Sequence, residues 1–411
     1  MENLDYLDAK SQSKQNKNLD VLPVFFTDEE LDTLSKKSIS IVGTNGKTST
    51  ANHIFQYLQD IDVNPCRFTS PHLIKVNERI QSNNGFIWDR DIDKYLNEIR
   101  KFEAKEKVVL GYFETLFLIS CKYFLDMNLD IFIVEAGIGG RLDTTSIINS
   151  ENVALTNIGY DHTEILGETL EKILIEKIKI SNRVKNFFVG DVSTHRQYEK
   201  LIREELGLTD NNYFAPRSFY LKEVNEFSID SNFLEANMEL AFEVFHFLLI
   251  ERSSEGYSLS DEQVEKHLAR TDHELEDGRF DFIYLNGNKF KLVDGAHNSS
   301  AIYSLFNTLE SALQQDLPRK IECIIGLKKG KDYKGIVDQL VTRDYLDISL
   351  IQDQTFTDQM DPEIIARYLK ELGREIKYMS IEDFESYNNP SILLGSLYLV
   401  GEYKKYIKGV R

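Results

Sequence analysis

The chain is short of several things that would have settled its class early. Its 411 residues hold three cysteines, Cys66, Cys121 and Cys323, too widely spaced for a disulfide framework or a zinc site and better suited to core packing in a reducing compartment. Positive charge is also scarce: 48 Lys and Arg against 67 Asp and Glu leave a formal charge of -19. Such a balance repels nucleic acid and anionic membrane surfaces, so an anionic substrate would need a local basic pocket. No apolar run approaches bilayer length, and the polar start MENLDYLDAKSQSKQNKNLD has no apolar signal core. The expectation is a soluble cytoplasmic protein without nucleic-acid or membrane partners. Internal repeats and low-complexity tracts are missing as well.

What is present is enough apolar content, 42%, to build two or three cores in a chain this long. The most informative stretch is Ser38 to Ala51, SISIVGTNGKTSTA. It reads as a short apolar strand, a loop and then a helix, with Ala51, Ile54, Phe55 and Leu58 at helical spacing. A loop of this kind cradles phosphate: loop amides and a helix N-terminus face anionic oxygens, Lys47 adds a point charge, and the hydroxyl of Thr48 or Ser49 reaches Mg2+. The strict phosphate-loop pattern wants Gly five residues before Gly46, where this chain has Ile41. What remains is the shorter string Gly43-Thr44-Asn45-Gly46-Lys47-Thr48-Ser49.

Further strands are expected at 64–68, 131–134 and 153–157, with helices at 91–102 and 112–124 between them. That alternation argues for an α/β fold with a doubly wound parallel sheet, and Glu135 and Asp161-His162 then fall at carboxyl ends of strands, where such sheets bind ligands. The segment from Thr69 to Ile80 is too irregular for helix or sheet and reads as a functional loop, and residues 1 to about 22 read as frayed or loosely docked. Between 168 and 180, Leu170, Ile173, Leu174 and Lys177 share one helix face. A lysine there either snorkels to water or does chemistry. An acidic stretch at 272–277 reads as a linker, followed by a hairpin across Asn286-Gly287 and strands at 321–325, 347–351, 376–379 and 391–394. The expected division is a domain with the phosphate loop, 1–278, and a smaller Rossmann-like α/β domain, 279–411.

The ordered strings Gly43 to Ser49, Ser70-Pro71-His72-Leu73, Glu78-Arg79-Ile80, Phe113-Glu114, Glu135 to Asp143, Asp161-His162, Glu176-Lys177, Gly278-Arg279-Phe280, Asp294 to Asn298 and Gly395 to Gly401 together resemble the folylpolyglutamate synthase and dihydrofolate synthase family of the Mur ligase superfamily. The resemblance implies an ATP-dependent ligase that adds L-glutamate to a (tetrahydro)folate polyglutamate through an acyl phosphate. Dihydropteroate as acceptor, a Mur-type peptide ligase, and a degenerate nucleotide-binding paralogue are the alternatives. It implies that Ser70, Glu135, His162 and a carbamylated Lys177 hold Mg2+ at up to two sites, with Lys47, Lys177 and His162 as catalytic residues. Gly43 to Ser49, Asn237, Arg279 and Asp294 would bind ATP, and Phe113, Glu114, Asp143 and His297 the other substrates. The second domain would close on ATP and glutamate, and the protein would act as a monomer. Ser146, Phe233 and Leu234 depart from the family pattern, and Thr48 replaces its usual Gly.

Overall fold

A computed structural model describes residues 6–7, 9–10, 19–61, 63–216, 233–251, 277–285, 289–352 and 355–410. Contacts divide the chain into two compact units, Met1–Ser70 with Val76–Ser231 and Glu235–His273, and Pro71–Lys75 with Asn232–Leu234 and Glu274–Arg411. Each carries one sheet.

The first unit's sheet has the order β4-β3-β2-β5-β1-β6-β7-β8, in which β3 is Ile80–Ser82, β4 Gly85–Phe86, β7 Asn186–Val189 and β8 Tyr213–Phe214. Its central strands are β1 (Ser38–Val42), β2 (Pro65–Phe68), β5 (Ile131–Glu135) and β6 (Asn152–Leu155), all fully buried and mutually parallel. Such strands, covered on both faces, require near-continuous apolar runs, and IFIV in β5 is one. In register, Ile41 pairs with Glu135, Phe68 with Val134 and Val42 with Leu155. The carboxyl ends of four adjacent strands are thereby level. Helix α1 (Lys47–Gln59) follows β1, α2 (Asp89–Glu106) and α3 (Tyr112–Asp126) precede β5, and α4 (Leu170–Ile178) follows β6. Helix α3 is apolar almost all round and packs in the cluster with Phe68, Phe132 and Ile148.

Two sequence expectations change here. The segment read as irregular ends in a single 3-10 turn, Val76–Arg79, and a short strand β3 (Ile80–Ser82) that pairs antiparallel with both β2 and β4. Three residues are too few to show a strand period. Near the N-terminus, Leu7 and Leu22 are buried in the core and Lys10 is 4% exposed, so these residues are docked.

The second unit's sheet has the order β13 (Lys377–Met379), β12 (Leu346–Ile351), β11 (Ile321–Ile325), β14 (Ser391–Leu394), β10 (Phe290–Asp294) and β9 (Asp281–Tyr284), parallel except for the hairpin of β9 and β10. Both strands of that hairpin lie where the alternation put them, while the Asn286-Gly287 turn and most of the 272–277 stretch lie outside the described residues. The core of this unit also receives Phe233 and Leu234, the first residues of α5 (Phe233–Glu251). Their apolar character therefore serves packing.

Candidate active site

The level strand ends of the first unit assemble the site. Gly43 leaves β1 so close to Thr156 that any Cβ would collide with its hydroxyl. Gly46, the N-cap of α1, has φ +83, a left-handed backbone that favours glycine, and a Cβ there would strike the Asn237 amide. The loop between them is pinned from the β6 end. Thr44 N–H donates to Asn157 O (3.0 Å), Asn45 N–H to Asn157 Oδ1 (3.0 Å), and Thr156 Oγ1 to Asn45 O (2.6 Å). The Thr44 hydroxyl and Gly159 also exchange hydrogen bonds at 3.1 and 2.9 Å. The amides of Thr44 and Asn45 thus hold the loop's shape, and helix geometry assigns anion binding to the first turn of α1. Thr156, Asn157 and Gly159 were not singled out in the sequence; their position just beyond a buried strand was the available signal.

Glu135, 3% exposed, ends β5 beside this turn. One carboxylate oxygen accepts from Thr48 Oγ1 at 2.8 Å and the other from Ser70 N–H at 3.0 Å. Residues that follow β1 and β2 therefore meet the carboxylate at the end of β5, and that carboxylate with the Thr48 hydroxyl is a donor set of the hard oxygen kind that Mg2+ takes. It also singles out Thr48 over Ser49 as the hydroxyl beside the acid. Among the described residues no group of three or more His, Cys, Asp or Glu side chains forms a ready metal cluster. His162 follows β6 with a left-handed backbone (φ +50), its ring 3.9 Å from Asp161 and 3.7 Å from Glu164.

Lys177 lies in the last turn of α4, 4% exposed. It does not snorkel. Its Nζ donates to Gly43 O at 2.8 Å, and Lys47 Nζ reaches the same oxygen at 3.1 Å and Thr44 O at 3.2 Å. Burial and the nearby Lys47 charge push the Lys177 amine down to about 7, against the opposing pull of Asp161, Asp143 and Glu176. Helix α4 is fixed to the Glu135 loop: Arg141 N–H donates to Glu176 O (2.8 Å), and Gly140 packs so closely on the Glu176 and Lys177 carbonyls that a side chain is excluded.

Asp143 is 2% exposed and holds that loop from inside. Its Oδ2 accepts from Ile138 N–H, and its Oδ1 from the Thr145 amide and hydroxyl, at 2.7 to 2.9 Å. Glu114 is likewise buried and accepts from Gly111 N–H at 2.6 Å, capping α3. Phe113 stands 5.5 Å from Phe68 between ring centres and against Gly137. The remaining first-unit candidate, Asn237, is 5% exposed and its Nδ2 has no hydrogen-bond partner. A buried orphan amide beside a helix N-terminus is what a ligand contact would satisfy.

In the second unit, Asp294 ends β10 and accepts from Phe280 N–H (2.7 Å) and Ala296 N–H (2.6 Å). Burial raises its carboxyl pKa, opposed by those bonds and by the Arg279 charge. His297 Nδ1 lies 2.8 Å from Gly295 O.

The Mur ligase middle domain family model matches residues 41–207. The chain is 30% identical over 347 residues to a dihydrofolate synthase/folylpolyglutamate synthase of Buchnera aphidicola, covering 82% of this chain and 79% of that one. It is 26% identical over 407 residues to a dihydrofolate synthetase of Saccharomyces cerevisiae, covering 90% and 92%. Among solved structures, a bifunctional folylpolyglutamate synthase/dihydrofolate synthase from Yersinia pestis, complexed with AMPPNP and Mn ion, matches with TM-score 0.77 and 24% identity over 98% of this chain and 97% of that one. E. coli FolC in complex with DHPP and ADP matches with TM-score 0.76 and 21% identity over 99% and 97%. These last two likenesses are of fold.

Proposed function

Because the chain belongs to the dihydrofolate synthase/folylpolyglutamate synthase family, we propose that it is an ATP- and divalent-metal-dependent ligase that joins L-glutamate to a (tetrahydro)folate, with dihydropteroate as the alternative acceptor. The observation that carries this reading is the Glu135 carboxylate held between the Thr48 hydroxyl and the Ser70 amide at the start of α1, because it sets carboxylate and hydroxyl oxygens for a cation beside a helix terminus suited to phosphate.

A carboxylate is a poor electrophile. Transfer of the γ-phosphoryl group of ATP to the acceptor carboxylate gives an acyl phosphate and ADP. The glutamate amine then attacks the acyl carbon, loses a proton and expels phosphate. The protein's share is alignment and charge neutralisation. Lys47, now folded back on Gly43 and Thr44, would turn to the terminal phosphates. Asn237 would give its orphan amide to the nucleotide, Arg279 would hold phosphate and Asp294 the ribose. Phe113 and His297 are assigned to the other substrates, with Glu114 and Asp143 holding the loops around them. Ser70, Glu135 and His162 would hold Mg2+, which supplies charge neutralisation at the transferred group when bound.

Lys177 is assigned a second metal-ligand role after carbamylation. The neutral amine attacks CO2, forms an N–C bond and releases one proton, leaving an anion in place of a cation. A buried amine held near 7 is a competent nucleophile for this step. Phosphate release with ATP, glutamate and a panel of tetrahydrofolate, its polyglutamates and dihydropteroate tests the whole reading. Absence of turnover with every pterin acceptor would refute it.

A further inference from the structure

Leu110 is fully buried one residue before Gly111, the N-cap of α3. Both of its backbone polar groups end on one ion pair. Its N–H donates to Glu103 Oε1 at 2.7 Å, its C=O accepts from Lys10 Nζ at 2.6 Å, and those two side chains meet at 2.6 Å. The pair is nearly dry, with side chains 4% and 8% exposed. Tyr6 donates its hydroxyl to the same Glu103, and its ring lies 4.8 Å from both Lys10 Nζ and the Arg100 guanidinium. Leu7, 1% exposed, anchors the same segment in the core. A cation from the start of the chain therefore fixes the residue that leads into α3.

What stands just beyond that residue matters to the ligase reading. Gly111 is bound back by Glu114, and Phe113 sets its ring between Phe68, at the end of β2, and Gly137, two residues after Glu135. A dry ion pair is weak evidence for added stability, since apolar side chains of similar volume usually serve as well. What the pair supplies, and apolar replacements do not, is two directed hydrogen bonds that fix Leu110 in both senses.

We propose that Lys10 and Glu103 are positioning residues for the acceptor: they clamp Leu110, and so set the seat of Phe113 against an aromatic ring of the acceptor. The inference rests on the proposed ligase reading. It places acceptor affinity partly in Tyr6 and Lys10, far in sequence from the phosphate loop, while nucleotide binding is left to α1.

The decisive measurement is steady-state kinetics on the full chain carrying Lys10→Met with Glu103→Leu, tetrahydrofolate and dihydropteroate being the acceptors and ATP binding followed separately by calorimetry. Displacement of a substrate-facing ring by a fraction of an ångström predicts an acceptor KM raised about tenfold, with the ATP dissociation constant changed by less than about twofold. Lys10→Arg, which keeps a cation able to reach both Glu103 and Leu110 O, should restore most of the difference. Tyr6→Phe, which removes one hydroxyl and leaves the pair, should shift the acceptor KM in the same direction by a smaller factor and serves if the double variant does not fold. An unchanged acceptor KM in a folded variant, or a parallel loss of ATP affinity, overturns the proposal. Wild-type protein that turns over neither acceptor instead removes the ligase reading, and the clamp's role falls with it.

Discussion

Among the described residues four lysines are buried to nearly the same depth, and they divide into two kinds. Lys10, Lys291 and Lys404, 4 to 6% exposed, each meet a carboxylate: Lys10 meets Glu103, Lys291 meets Glu385 and Lys404 meets Asp277 and Asp281. Lys177, 4% exposed, has a carbonyl as its hydrogen-bond partner and a second lysine on the same oxygen. Among the described residues no carboxylate comes within the 4 Å of an ion pair with it. The contrast teaches how to tell a lysine that joins elements from one poised to react. A carboxylate at contact compensates the desolvation of the ammonium, whereas a carbonyl dipole compensates little of it and leaves the neutral amine as the favoured form.

The largest expected effect tests that contrast directly. Lys177→Ala should lose roughly 10²- to 10³-fold in kcat, the usual scale for one pre-organised electrostatic group, while remaining folded by circular dichroism. Short carboxylates in solution should restore part of the turnover, and removal of dissolved CO2 should inhibit the wild type alone. Near wild-type activity in Lys177→Ala would cancel the difference between the two kinds.

Lys404→Met should behave in the opposite way. It leaves Asp281, 20% exposed, without its cation, while Lys408 still reaches Asp277 at 3.2 Å, so urea unfolding should show a loss of about 1–3 kcal/mol, the scale for a lost hydrogen bond to a partly buried charge. Lys177→Met should not lose stability near pH 7, because it removes an amine whose charged form burial disfavours.

The same shift fixes a pH dependence. The folded-state pKa of Lys177, about 7, lies below its unfolded value, so between the two the unfolded chain binds more protons. Stability contributed by this site therefore rises with pH from about 7 towards the unfolded value near 10.5, and the penalty is complete below 7. CO2-dependent activation should follow the neutral amine, falling about tenfold per pH unit below 7; a flat profile from pH 6 to 8 would place the amine elsewhere. The smallest effect belongs to an exposed pair, Lys320 with Asp347, 64% and 39% exposed. Lys320→Ala should change stability by less than about 0.5 kcal/mol in the same urea series.

Much of this was legible in the residues. The buried strands Ser38–Val42, Ile131–Glu135 and Ile321–Ile325 announced themselves as apolar runs, and the GTNGKTS string marked the phosphate loop because its glycines answer local backbone demands. The 3-10 turn at Val76–Arg79 and the short strand after it did not show, being shorter than any period they could display. Neither did the docking of Tyr6 to Lys10, which depends on partners near Glu103 and Leu110.

By itself the sequence determined the alternation of strands and helices, the phosphate loop and the placing of Glu135 at a strand's end, because each follows from residues a few positions apart. Only the tertiary structure decided that Thr48 rather than Ser49 faces Glu135, that Asn157 closes the loop, and that Lys177 rests on the carbonyl of Gly43. Those contacts join residues far apart in sequence, and they exist because parallel register brings the ends of β1, β5 and β6 to one level. A helix period can place a lysine on an apolar face, but the partner that fixes its protonation comes from another strand.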